Sequence, residues 1–332
     1  MKVGKLSQKM LDELILDRIK CRHSEVVCGA GIGEDCAVLK FDGEYCVLST
    51  DPITAASDGI SKLCVHINAN DVASSGAEPI AMLVTILIPP ESSYDEVKKV
   101  IDELIETAEH ENIDIVGGHT EVTDAVKRLI VSATVLGKTA KPLKTAGGEP
   151  GHALIMSKFA GIEGTKIICG DYKELAGVLD DNERTELETM GDMLSVVEES
   201  RIASKIGVSA MHDITEGGVL GAVYEMSRAC GCGAVIDEQS IPVKNSTRKL
   251  CSKLGINVLR LISSGSMLIA CEEEKVSQLL TGLEQSGIHA SRIGMLMNNS
   301  DIMLKTQTGL LKIDPPGSDE IYKVVSRFGE KG

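Results

Sequence analysis

The chain has no tryptophan, three phenylalanines and five tyrosines among 332 residues. Single-stranded nucleic acid is held by stacking its bases on aromatic rings, and this sequence has few rings to offer. Positive charge is also short: 34 Lys and Arg stand against 49 Asp and Glu, a net charge of -15. Sequence-independent binding to DNA or RNA needs basic patches that displace counterions from phosphates, so nucleic acid is not an expected partner. The longest apolar run, Ile80 to Ile88 interrupted by Thr85, is far short of the about 20 residues that span a bilayer and reads as a buried strand. Met1 to Ile19 mixes Lys, Asp and Glu with apolar residues and lacks the apolar core of a signal peptide. The expectation is a cytoplasmic protein with no membrane partner.

Cys-x-x-Cys pairs are absent too. The ten cysteines are scattered through apolar stretches such as Tyr45-Cys46-Val47 and Lys62-Leu63-Cys64-Val65. Buried free thiols are expected rather than disulfides, and Cys230 and Cys232 have no second pair with which to complete a zinc site.

What is present is the balance of a globular protein, 43% hydrophobic and 25% charged residues, at a length suited to two α/β domains. Apolar residues at helical spacing over Leu6 to Cys21 predict a helix, followed by a turn-rich stretch from Gly29 to Gly33. Short strands follow at Cys36 to Leu39 and Tyr45 to Ser49, with Asp42-Gly43 as a hairpin turn. Ser57 to Ser75 reads as a helix, Ile80 to Ile88 as a strand, Ser93 to Asn112 as an amphipathic helix, and Ile113 to Val116 and Arg128 to Leu136 as strands. The Gly-, Pro-, Lys- and Thr-rich stretch from Lys138 to Gly151 marks a boundary, giving domains at 1–142 and 143–332. Helices and strands alternate again beyond it, ending in a helix within Asp319 to Phe328, with no fixed-period repeat.

The usual nucleotide signatures are missing. There is no Gly-x-x-x-x-Gly-Lys-Ser/Thr loop, and Gly29, Gly31 and Gly33 lie in the wrong context for a dinucleotide fingerprint. Acidic residues instead stand where apolar runs meet loops: Glu34-Asp35, Asp51 after Val47-Leu48-Ser49-Thr50, and Asp71 in Asn68-Ala69-Asn70-Asp71. Grouped carboxylates repel unless a cation neutralises them, and magnesium prefers such oxygens together with phosphate. The alternative is ordinary turn residues and a solvated helix face. Two glycine-paired segments favour the nucleotide: Val116-Gly117-Gly118-His119-Thr120-Glu121, and Met211-His212-Asp213-Ile214-Thr215-Glu216-Gly217-Gly218 before a helix. Such amides can approach phosphate, and a helix start favours an anion.

Six motifs occur in the order seen in the superfamily of AIR synthase, selenophosphate synthetase, thiamine-monophosphate kinase and HypE, which the chain resembles over nearly its whole length. They are Gly33-Glu34-Asp35-Cys36-Ala37-Val38, Ser49-Thr50-Asp51-Pro52, Asn70-Asp71-Val72-Ala73, Gly76-Ala77-Glu78-Pro79, Gly117-Gly118-His119-Thr120 and Asp213-Ile214-Thr215-Glu216-Gly217-Gly218. The resemblance implies a two-domain PurM-like α/β fold of α+β type, whose N-terminal domains pair into a dimeric β-barrel. It implies ATP and magnesium as cofactors, with Asp35, Asp51, Asp71 and Asp213 at the metal. Thr50, Asn70, Gly117, Gly118 and Thr120 would meet the nucleotide. Lys158-Phe159-Ala160-Gly161-Ile162-Glu163-Gly164-Thr165 resembles a glycine loop of HypE-like proteins, so that Lys158, Gly161 and Gly164 would help cover the ligand. His119 and Glu121 are the catalytic candidates, with a base, a phosphate contact or a loop cap all open for His119.

The family chemistry is activation of a substrate oxygen by ATP. The resemblance is closest to HypE, which dehydrates a thiocarbamate on its own C-terminal cysteine. This sequence ends at Gly332 with no cysteine after Cys271, and carries His119 where HypE usually has Asp. Selenophosphate synthetase has Gly-Gly-His but needs a reactive Cys beside a Lys, whereas Cys28 is followed by Gly29. The expectation is therefore an ATP-dependent enzyme on a small-molecule substrate, as a homodimer and with a maturation protein as a further partner. A non-catalytic nucleotide-binding scaffold, or a phosphotransferase like thiamine-monophosphate kinase or selenophosphate synthetase, is the alternative.

Overall fold

The computed structural model describes residues 26–28, 36–53 and 59–329. The helix expected over Leu6 to Cys21, the turn at Gly29 to Gly33 and the metal candidate Asp35 lie outside them, as does the side chain of Cys28.

The first half of the chain builds a six-stranded sheet. Its strands are β1 (Val26–Cys28), β2 (Ala37–Phe41), β3 (Glu44–Ile53), β4 (Glu78–Ile88), β5 (Asp114–Val122) and β6 (Ile130–Thr139), in spatial order β1-β2-β3-β6-β4-β5. β2 and β3 meet through the Asp42-Gly43 turn, whose φ angles are 43° and 93°, as a tight hairpin requires. β4 and β5 are parallel, joined by helix α2 (Tyr94–His110); α1 (Ile60–Ser74) connects β3 to β4. Ser93 starts α2 with a capping box: its Oγ accepts from the Glu96 amide at 3.2 Å, and the Glu96 carboxylate accepts from the Ser93 amide at 2.8 Å. α1 differs, with thirteen of its fifteen residues buried. A helix buried on all sides needs cover on all sides. The sheet covers one flank and the second half of the chain the other, so α1 runs through the middle of the molecule.

The second half builds a seven-stranded sheet in the order β13-β12-β9-β11-β7-β10-β8. Its strands are β7 (Ala153–Ser157), β8 (Ala210–Asp213), β9 (Gly233–Asp237), β10 (Met267–Cys271), β11 (Ala290–Met297), β12 (Ile302–Thr306) and β13 (Gly309–Lys312). Around it lie α3 (Ile162–Asp171), α4 (Asp181–Thr189), α5 (Val197–Ile206), α6 (Gly218–Ala229), α7 (Asn245–Leu254), α8 (Val276–Gln285) and α9 (Ile321–Phe328). One continuous apolar cluster joins the halves, reaching from Val47, Val72 and Val84 to Ile155, Val197 and Leu279. The expected mixed α/β architecture is observed.

Two local expectations are corrected. The strand predicted to stop at Val116 continues to Val122, because Gly117 and Gly118 pair with Leu83 and Val84 of β4. The segment expected as a loop is the edge strand of the sheet. Asp51 and Asp71, expected at element ends, lie inside β3 and α1 respectively.

Candidate functional site

Side chains two residues apart on a strand share a face, so Ser49 and Asp51 of β3 both look toward α1. α1 answers with Asn68 and Asp71. The Asn68 Oδ1 accepts from the Asp51 amide at 2.7 Å, and its Nδ2 donates to the Asp51 carbonyl at 3.2 Å and to the Cys64 carbonyl at 2.8 Å. Ser49 Oγ donates to Asp71 Oδ2 at 2.5 Å. Asp71 is only 6% exposed, which rules out the solvated helix face considered from sequence. The Cys64 thiol registers the same geometry: burial pushes it up to about 12, and the negative charge of Asp51 adds to that.

The two carboxylates, a hydroxyl and nearby carbonyls are oxygen donors of the kind a hard divalent cation takes together with water and phosphate. This donor set fits magnesium. Among the described residues no three His, Cys, Asp or Glu side chains stand together as a complete site. Asp213 ends β8, opposite Met267 of β10, and is 1% exposed. β8 packs on α1, so the helix that carries Asp71 also touches the strand that carries Asp213.

The register divides the remaining candidates between the two faces of the first sheet. Asp51, Ala133, Val84 and Gly118 form one row across paired strands. Ala133 and Val84 are buried, so this row faces α1. Thr120, paired with buried Ile86, lies on the same face. Thr50 is in the row of Thr134, Leu83 and Gly117, and His119 in that of Pro52, Ser132 and Thr85, both on the opposite face. There Thr50 Oγ1 donates to the Ala133 carbonyl at 2.9 Å, and His119 Nε2 stands 3.2 Å from Glu121 Oε2 in the open. Strand alternation therefore separates the catalytic candidates His119 and Glu121 from Asp51 and Asp71.

In the second half the expected covering loop is packed inward. The amide of Gly161 donates to Ser263 Oγ at 2.9 Å, and a Cβ on Gly164 would stand 2.5 Å from Leu261 Cγ. Lys158 Nζ pairs with Glu199 Oε1 at 2.6 Å and donates to the carbonyls of Ser195 at 2.5 Å and Gly265 at 3.0 Å. Asn70 donates to the Leu194 carbonyl and accepts from the Val196 amide, both at 2.8 Å. The Gly217 amide, expected to face phosphate, donates to Asp319 Oδ2 at 2.7 Å. The charges of Asp319 and Glu216 oppose ionisation of Glu163, the charge of Glu216 opposes that of Asp319, and Tyr322 donates to Glu216 at 3.1 Å. Burial first, then these charges, pushes Glu163 up to about 7 and Asp319 up to about 6. Sequence reasoning did not single out Ser49, Asn68, Glu199 or Asp319. Asn68 carried a signal, a carboxamide inside an apolar helix, while Asp319 carried none.

Fold and site together define a two-sheet α/β protein with two carboxylates, Asp51 and Asp71, between the first sheet and a central helix. The family descriptions AIR synthase related protein, N-terminal domain, and AIR synthase related protein, C-terminal domain, match residues 33–139 and 149–304. The chain belongs to the AIR synthase-related family. A relative from Methanocaldococcus jannaschii, whose name assigns it provisionally to hydrogenase expression and formation, is 25% identical over 97% of both chains. The carbamoyl dehydratase HypE of Escherichia coli is 29% identical over 87% of this chain and 88% of its own. A crystal structure of the hydrogenase maturation protein HypE in complex with ATP matches with a TM-score of 0.73 and 21% identity, over 96% of this chain and 97% of that one.

Proposed function

We propose that this chain is an ATP- and magnesium-dependent enzyme of the AIR synthase and HypE type, which phosphorylates an oxygen of an amide, carbamoyl or similar group. Transfer of the γ-phosphoryl group releases ADP and turns that oxygen into a leaving group for a nucleophile. The observation that carries the reading is the convergence of Asp51 and Asp71 on one side of β3, fixed by Asn68 and Ser49. Bound there with Asp35 and Asp213, magnesium would neutralise charge that develops on the triphosphate. The protein's own part is to orient: Ser49 aims the Asp71 carboxylate, Asn68 fixes the backbone of Asp51, and Gly118 and Thr120 share that face. The E. coli relative named a carbamoyl dehydratase and the structural neighbour bound to ATP support the same chemistry.

Residues 1–142 form the nucleotide-binding domain in this reading, and 143–332 the second AIR synthase-related domain. The far face of the first sheet, where Ile80 and Leu83 leave 39% and 44% of their surfaces exposed, is the proposed seat of a homodimeric barrel. That arrangement would put His119 and Glu121 at the interface. A cytoplasmic location and a maturation-protein partner belong to the same proposal; no helix among the described residues is long and apolar enough to cross a membrane.

Calorimetric titration with ATP, with and without magnesium, followed by a phosphate-release assay tests the reading. Magnesium-dependent binding with phosphate release is expected. Absence of binding under both conditions would contradict it.

A further inference from the structure

The segment Met193–Val196, just before α5, is gripped from both halves of the molecule. From the first half, the Asn70 side chain, 0% exposed, pairs with the Leu194 carbonyl and the Val196 amide. Ser195 Oγ donates to Glu111 Oε2 at 2.9 Å, at the end of α2. From the second half, Lys158 Nζ holds the Ser195 carbonyl, and the Met193 carbonyl lies where a Cβ on Gly265 would be 2.3 Å away. One turn into α5, Ser200 Oγ donates to the Ala73 carbonyl at 2.5 Å.

Two features argue that the grip is built rather than incidental. Lys158 adopts φ 53°, a left-handed conformation that costs a β-carbon-bearing residue strain and needs surrounding bonds to hold it. Its ammonium has three hydrogens, and three oxygens take them: Glu199 Oε1, Ser195 O and Gly265 O. No donor remains for a phosphate. Glu199 is in turn 1% exposed and accepts from Ser157 Oγ at 3.2 Å. Asn70 and Lys158 both direct these polar atoms to the protein's own backbone and side chains, although both stand at family motifs.

We infer that Asn70 and Lys158 are positioning residues: they clasp Met193–Val196 between the halves and thereby set Asp71, the neighbour of Asn70, relative to the second half's Asp213. The inference rests on the reading of Asp51 and Asp71 as the metal pair. A clasp of this kind acts on metal binding through geometry, as groups behind metal ligands do.

Glu199 makes the test discriminating, because a carboxylate is no phosphate ligand. Three variants are compared: Lys158→Met, Glu199→Gln, and the double variant, which removes both charges and leaves no unpaired buried ion. Each is checked by circular dichroism and then titrated with ATP over a range of magnesium. A clasp predicts that the magnesium needed for half-maximal ATP binding rises by about tenfold in all three, with the double variant no worse than either single one. ATP binding in Glu199→Gln at the wild-type magnesium requirement, alongside loss of ATP affinity in Lys158→Met, would overturn the inference and make Lys158 a nucleotide contact.

Hydrogen exchange separates this from failure of the functional reading. If the wild type binds no ATP, the reading fails, while the clasp still predicts faster exchange at the Val196 amide, which Asn70 accepts from, in the double variant than in the wild type. Wild-type exchange there would overturn the clasp.

Discussion

Glu163 and Asp319 are carboxyls removed from water, Glu163 at 3% and Asp319 at 2% exposure, so folding favours their neutral forms. Both have folded values above their ordinary ones, about 7 against 4.5 for Glu163 and about 6 against 3.8 for Asp319. Each contribution to stability is therefore complete below the ordinary value and lost as pH rises through the folded one. His66 has the opposite sign. Burial lowers it from 6.5 to about 4, so its contribution is complete above 6.5 and lost as pH falls toward 4. Glu163→Gln keeps the shape and cannot ionise. Melting followed from pH 5 to 8 should show this variant more stable than the wild type at pH 8, by on the order of 2 kcal/mol, and similar to it at pH 5. Equal melting at pH 8 would mean that Glu163 is ionised at no cost in the fold.

At the scale of elements, α2 and β5 carry two separate predictions. Ser93→Ala removes the capping box and should cost about 1 kcal/mol in urea denaturation without touching ATP binding. Gly118→Ala places a Cβ 1.8 Å from the Val84 carbonyl oxygen, backbone that cannot step aside within a paired sheet. It should destabilise by about 2 kcal/mol and speed hydrogen exchange along β4 and β5. Unchanged exchange there would contradict the pairing of Gly118 inside the strand. These elements show what a sequence can tell. The α1 helix, the Asp42-Gly43 hairpin and α2 with its Ser93 start were legible because their signals are local: apolar spacing and turn residues. Gly117-Gly118 read as a loop because glycine reports freedom from a side chain without saying why it is needed, and here the need is close approach to β4. The division of Thr50, His119 and Glu121 from Asp51 and Asp71 required the strand register, which is a long-range property. Asp319 reaches Gly217 across 102 positions of chain, and no local pattern foretells that.

For the whole molecule, α1 is the central element. It is buried between the first sheet and the second half, so Asp71 meets Ser49 of the first sheet and Asn70 meets Leu194 of the second half from adjacent positions. The acidic motifs were legible as residues, but their joint placement depends on this packing. One ion pair across the halves, Arg201 with Glu78, is about 39% exposed on each side, so it should contribute little beside the buried contacts. Arg201→Ala should accordingly change stability by about 1 kcal/mol or less in denaturant titration and leave nucleotide binding intact.

The most direct test of the central claim is calorimetric ATP titration of Asp51→Asn and Asp71→Asn, with and without magnesium. Asparagine keeps the volume and, at position 71, an oxygen for Ser49, so the fold should persist by circular dichroism and melting. Both variants should lose magnesium-dependent ATP binding. Wild-type ATP affinity with wild-type magnesium dependence in both would contradict it.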